Sequence, residues 1–497
     1  MTTPYYATDG PVVVQGQVVG GIPATTHDNI NHSDADFKGE RQPKRCNDAF
    51  FAILFYAHLA VMGWVVGTYA PQMYGSVASE YGGGRQLDDK QEEYDDNSSV
   101  GMEMHEIYLI IGISGIVGFI MSSLALSFMM SCASVLIKAA LWFNMILSFA
   151  MAIMALLAGA IPVAIICFIG FALTVCYAYA VWSRIPFAAS TLVTAITAVR
   201  ANIGVSFFAY LNLFLTFGWT LWWSLAFVAA NFVINGCDVQ GECDTSPNVG
   251  IVFGFLISYF WVIQVLKNVV HVTVAGTVGT WWFAPQEANS CCSKAIGDSW
   301  FRSMTTSFGS ICFGSLIVAI IQAAKEILHQ MREQGDGVLI CCAECLLGCI
   351  ESLVEYFNQW AFVYVGLYGY NFMEAGKNVM TLFRSRGWTA IIADQLVDAV
   401  LSMVAIAVGV LSGIIGIFAA KAAGVDLSDG KVMAPFSLGF LFGFALCATL
   451  FSVVSSAVNT VIVCYAEAPA EFQQNHPRLS ENMRMNWRQA YPNDFKY

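Results

Sequence analysis

IPVAIICFIGFALTVCYAYAVW, residues Ile161–Trp182, runs for 22 residues without one charged side chain. As a helix this stretch rises about 33 Å, enough to cross a hydrocarbon core of about 30 Å. No open strand or loop could use it that way, because in lipid every backbone N–H and C=O must be paired internally. Immediately upstream, beyond Gly159 and Ala160, Val135–Ala158 is a second apolar run whose only charge is Lys138. Two such runs back to back predict an all-α, polytopic membrane protein.

Working outward, the same pattern recurs along the chain. The predicted spans are Ala49–Ala70, His105–Met130, Val135–Ala158, Ile161–Trp182, Gly204–Val233, Gly250–Phe283, Thr305–Ala324, Ala361–Leu382, Ile391–Ala420 and Pro435–Tyr465. Composition agrees: 57% of residues are hydrophobic and 12% charged, against about 25% charged in a soluble domain. The expected organisation is a disordered cytosolic tail over 1–48, a transmembrane domain over 49–465 and a cytosolic C-terminal tail over 466–497. The first tail is polar and has no apolar core, so the first span is expected to act as its own insertion signal.

Orientation follows from the basic residues, which collect in cytoplasmic loops. Lys38, Arg41, Lys44 and Arg45 precede the first span and place the N-terminus in the cytosol. With ten crossings, Arg184 and Arg200, Lys294 and Arg302, Arg384 and Arg386, and the C-terminal Arg478, Arg484 and Arg488 fall on that same side. The opposite loops behave differently. Gln72–Glu103 is dominated by Glu and Asp, and neither Asn235–Asn248 nor Glu333–Trp360 contains Lys or Arg. The net charge of −12 argues against a nucleic-acid partner; it is compatible with a cationic solute, and a solvated acidic external loop with no further purpose accounts for it equally.

No P-loop, HExxH, GxSxG or dinucleotide fingerprint is present, so neither an enzyme nor an ATP-driven pump of the usual kind is indicated, and no cofactor is implied. The seven His residues are scattered, and the intramembrane ones, His58 and His271, read as hydrogen-bonded packing residues. Cys341, Cys342, Cys345 and Cys349 lack the partners of a zinc site, so no metal is expected; Cys342, Cys345 and Cys349 recur at helical spacing and read as one face of an amphipathic helix of unassigned sidedness. Cys237 and Cys243, in a loop assigned to the oxidising side, are expected to form a disulfide.

Charged and polar groups held inside spans must face a cavity or a partner, since a carboxylate at the bilayer centre costs about 2.5–3.5 kcal/mol. Glu374 beside Asn371, Asp398 on one face with Asp394, and Asn268 with Gln264 are the candidates. For Asp394, pairing with Arg384 or Arg386 at the interface is an equal alternative. Ring-bearing residues supply a second element, because Trp and Tyr faces hold quaternary ammonium groups. Trp222, Tyr259 and Trp261 are candidates, whereas Trp281 and Trp282 read as an interfacial belt. Gly276, Gly279, Gly309 and Gly314 mark expected close helix approaches.

FWVIQVLKNVVHVTVAGTVGTWWF at Phe260–Phe283, SFGSICFGSLIVAIIQAAKEIL at Ser307–Leu328 and NQWAFVYVGLYGYNFMEAGKNVMTLF at Asn358–Phe383 resemble consecutive spans of the choline transporter-like family. CYAEAPAEFQQNHPRLSENMRMNWRQAYP at Cys464–Pro492 is similar to its fungal and protist branch, the pH-nine-sensitive proteins. The resemblance implies ten helices with both termini cytosolic, in the plasma membrane or an organelle. It implies transport of choline or a related amine such as ethanolamine. The expectation is a facilitative or proton-coupled carrier working by alternating access, with Trp222, Tyr259, Trp261, Asn268, Glu374 and Asp398 at the substrate. A channel or lipid-interacting scaffold is the alternative from another class.

Overall fold

The computed structural model describes residues 45–82, 104–236, 248–333, 338–386, 396–422, 424 and 432–490. They lie within the unit Lys38–Tyr497. Cys237, Cys243 and Asp394 fall outside them.

Helix α1 (Ala49–Gly82) is followed by α2 (Met104–Leu157), whose 54 residues would reach about 81 Å if straight. It is not straight. Cys132 leaves helical geometry at φ −129°, ψ 28°, dividing α2 where the sequence places the boundary between its second and third spans. Gly159, at φ +74°, then turns the chain into α3 (Ile161–Val181).

A first departure from expectation is α4 (Ile185–Ala201), a mostly buried helix in what reads as a connecting segment. Its Ser and Thr residues lower the apparent hydropathy. Thr191, Thr194 and Thr197 each return a hydroxyl hydrogen bond to the carbonyl four residues back, so they can be buried without outside partners. Helix α5 (Val205–Asn235) ends at Gly236 in the left-handed region, and α6 (Val249–Phe283) starts from Asn248, whose side chain accepts from Gly250 N–H. Next come the short amphipathic α7 (Lys294–Met304), α8 (Phe308–Glu333) and α9 (Val338–Tyr368).

Here the structure corrects two boundaries. Glu333–Trp360, expected to be an external loop, is largely α9, and its cysteines lie exposed on that helix. The expected span Ala361–Leu382 is broken at Gly369, φ +66°, so that α10 (Phe372–Arg386) is a separate amphipathic helix. The chain closes with α11 (Leu396–Ala422), α12 (Met433–Glu467), α13 (Pro469–Asn475) and α14 (Pro477–Ala490).

Among the described residues, eight helical stretches are long and apolar enough to cross a membrane. With α2 divided at Cys132 and α9 added, less apolar because of Glu344, Glu351 and Glu355, the described residues hold ten passages. Large apolar side chains such as Trp64, Ile116, Ile166, Leu173, Phe214 and Phe418 point outward, as a lipid-facing surface requires. Small residues bring α11 and α12 together. A Cβ on Gly439 would meet the Ser412 carbonyl oxygen at 2.5 Å, so only glycine permits that approach.

Both ends of the described chain share one face. Asn47 N–H donates to Thr306 O at 3.1 Å and its side-chain amide to Gly369 O at 2.5 Å, joining the starts of α1 and α8 to the end of α9. On that face α13 packs against the end of α6, and α14 packs against α13 and α4, with Trp487 on Phe187 at 4.6 Å. Trp282 stacks on Phe472 with ring centroids 3.9 Å apart, and Trp281 stacks on His476 at 4.0 Å. Trp281 and Trp282 are therefore buried anchors for the C-terminal helices rather than belt residues.

Candidate functional site

Gln264, Lys267, Asn268 and His271 recur at spacings of three, one and three, which places them on one face of α6. That face lines a cavity of about 370 Å³ deep among the helices. Opposite it stand Asn212 and Thr216 of α5, Glu355 and Gln359 of α9, and Asp398 of α11. Ser452, Ser455, Ser456 and Asn459 of α12 complete a largely polar wall.

Hydrogen bonds fix much of this wall. Asn268 Nδ2 donates to Ser315 Oγ at 2.9 Å, and Ser455 Oγ donates to Asp398 Oδ1 at 2.8 Å. His271 sets Nε2 against Gln359 O at 2.9 Å and Nδ1 against Ser456 Oγ at 2.8 Å. A carbonyl can only accept, so Nε2 carries the proton and the serine hydroxyl can donate to Nδ1, an arrangement that suits a neutral ring. Asn358 gives its amide to Gly314 O at 3.0 Å and leaves its buried Oδ1 without a partner among the described residues.

From the cavity a polar column runs between α8 and α9. Gln264 Nε2 donates to Gln322 Oε1 at 3.2 Å, Gln322 Nε2 to Glu351 Oε1 at 3.0 Å, and Lys325 Nζ pairs with Glu351 Oε2 at 2.8 Å. Farther along, Arg332 pairs with Glu344 at 2.9 Å. The column explains why α9 carries three glutamates inside a lipid-embedded bundle.

Of the six substrate candidates, the structure brings Asn268 and Asp398 to the cavity and places the others elsewhere. Trp261 sits one turn from Gln264, but its indole N–H donates to Cys312 O at 3.0 Å and its ring packs edge-on against Phe55. Tyr259 lies on the far side of α6, against Trp223 at 4.9 Å. Trp222 is 44% exposed and does not line the cavity, since it lies about 80–120° around α5 from Asn212 and Thr216. Glu374 is an exposed residue of the first turn of α10. Its N–H donates to Asn371 Oδ1 at 2.9 Å while Asn371 Nδ2 returns a bond to its carboxylate at 3.0 Å, so the pair caps the helix.

Two charged residues of the cavity, Lys267 and Glu355, are not among the six candidates. Lys267 is the single Lys, Arg, Asp or Glu of α6, which marks it in the sequence. Glu355 was hidden by its assignment to a loop.

Two kinds of comparison bear on this site. A family model described as plasma-membrane choline transporter matches residues 165–470, which include every cavity residue named above. The chain is 31% identical over 492 residues to Protein PNS1 of Cryptococcus neoformans, covering 95% of this chain and 87% of that protein. It is 26% identical over 479 residues to a CTL-like protein of Dictyostelium discoideum, covering 95% and 81%, and 29% identical over 394 residues to Protein PNS1 of Debaryomyces hansenii, covering 76% of each.

Proposed function

Because this chain belongs to the plasma-membrane choline transporter family, we propose that it carries a monovalent organic cation of the choline class across a membrane. The observation that carries the reading is the polar cavity, whose charged side chains are Lys267, Glu355 and Asp398. A quaternary ammonium has no proton to donate, so its attraction to such a site is electrostatic, toward carboxylates and side-chain carbonyl oxygens. Asp398, Glu355 and Asn268 are the proposed contacts. The substrate hydroxyl has Gln359, Asn212 and the α12 serines within the same wall.

The chain is an integral membrane protein, and its proposed place is the plasma membrane. Transport would proceed by exposing the cavity alternately to each side, without covalent chemistry. The polar column toward Glu344 and Arg332 supports a route along α8 and α9.

Purified protein in liposomes is expected to give saturable uptake of radiolabelled choline, with ethanolamine and an imposed pH gradient as separate arms for substrate range and proton coupling. No uptake above empty liposomes in any arm overturns the carrier reading. Single-channel currents in a planar bilayer would replace it with a channel.

A further inference from the structure

Lys267 is the unexplained charge of the cavity. A cation-binding site is ordinarily weakened by a fixed ammonium, yet α6 presents one beside Asn268 with accessible surface toward the cavity. Among the described residues neither Glu355 nor Asp398 stands within ion-pair distance of it. The other nearby basic groups are committed. Lys325 pairs with Glu351 at 2.8 Å, and both ring nitrogens of His271 have partners.

Two carboxylates and one ammonium leave the cavity one negative charge, which one monovalent cation neutralises. A lysine ends in a compact charge on a flexible four-carbon stem, so it can swing toward a carboxylate or withdraw from it. With the site empty, an ammonium that reaches Glu355 or Asp398 lowers the cost of holding carboxylates inside the bundle. A soluble cation that takes its place sends it back.

We propose that Lys267 is a tethered cation that sets the charge rule of this cavity: one soluble positive charge is accepted, while dications and zwitterions are rejected. The proposal rests on the reading of the cavity as a cation site. It adds the residue that decides how much charge the site admits. Removing the lysine alone leaves two negative charges and opens the site to a diamine. Removing one carboxylate alone leaves none and weakens choline. Removing both together returns the site to one negative charge.

The test measures equilibrium binding of choline, betaine and putrescine to purified protein, carrying one, zero and two net positive charges. Lys267→Gln is expected to raise the putrescine-to-choline affinity ratio about tenfold. Asp398→Asn is expected to weaken choline about tenfold, and adding Lys267→Gln to Asp398→Asn to recover most of that loss. Should Lys267→Gln alone fail to give monodisperse protein, the recovery in the double variant over Asp398→Asn carries the test by itself. A double variant no better than Asp398→Asn, or a putrescine-to-choline ratio unchanged in Lys267→Gln, overturns the charge rule. Wild-type protein that binds no choline while Lys267→Gln gains putrescine would sink the choline reading and leave the charge rule standing.

Discussion

Asp48 Oδ2 accepts a hydrogen bond from Ser310 Oγ at 2.6 Å, tying the residue before α1 to the first turn of α8 across 262 positions of sequence. The same oxygen accepts the N–H of Phe372 at 3.1 Å, so one carboxylate closes the N-terminal ends of α8 and α10. Asp48 holds a φ of +52°, a conformation that a non-glycine residue adopts only when its surroundings demand it.

Replacing Asp48 with Ala leaves the Phe372 N–H and the Ser310 hydroxyl without this acceptor. A loss of about 1–3 kcal/mol is expected. It would be read as a lower melting temperature of the detergent-purified protein. Asp48→Asn, which keeps one acceptor oxygen, should lose less.

Trp282→Ala removes the stack on Phe472 and the indole hydrogen bond to Ala468 O at 3.0 Å. A fully buried tryptophan truncated in this way costs about 3–5 kcal/mol. Limited trypsin digestion should then cut at Arg478, Arg484 and Arg488 much faster than in the wild type. Equal cleavage rates would show that α13 and α14 are held by something else.

Docking of those helices should also depend on pH through His476. Burial under Trp281 holds its imidazole below the ordinary histidine value, with the hydrogen bond to the Trp281 carbonyl opposing that in part. The released segment therefore binds the proton more readily than the docked one. Docking is at full strength above the ordinary value of about 6.5 and weakens as the pH falls from there toward the lowered one. Hydrogen exchange in α14 should speed up between pH 7.5 and 5.5, and His476→Phe should flatten that change.

Asn268→Ala and Glu374→Ala separate the cavity from the cap. Asn268 faces the cavity and holds Ser315, so its loss is expected to raise the KM for uptake severalfold. Glu374 adds a carboxylate to an exposed helix cap whose backbone bond to Asn371 survives the substitution, so a loss of about 0.3–1 kcal/mol of stability is expected, with KM unchanged. The reverse pattern would move the site to the start of α10.

A substitution at the α11–α12 seam gives a sharper result. Gly439→Leu would drive a side chain into the Ser412 carbonyl, overpacking that costs about 1–3 kcal/mol or more. The monodisperse fraction in size-exclusion chromatography should collapse, whereas Gly63→Ala, with open space around it, should leave the profile intact.

What the chain determined by itself was its solvent and its pleating. Apolar runs of bilayer length force helices because lipid offers the backbone no partner, and basic residues distinguish the loops, so the all-α class and an even number of passages were readable from Ile161–Trp182 outward. The membrane-length signal failed at α4 and α9, where hydroxyls and glutamates are buried against other helices and dilute the hydropathy. Only the tertiary structure decided which of the embedded polar groups meet. Asn268, Lys267, Glu355 and Asp398 come from three helices, and helical periodicity says which residues of one helix share a face but not which face another helix turns toward it. That choice is made by packing: the glycine seam of α11 and α12, the bond of Ser455 to Asp398 and the column from Gln264 to Glu351. The same packing turned Trp222 outward and left Glu374 to cap α10.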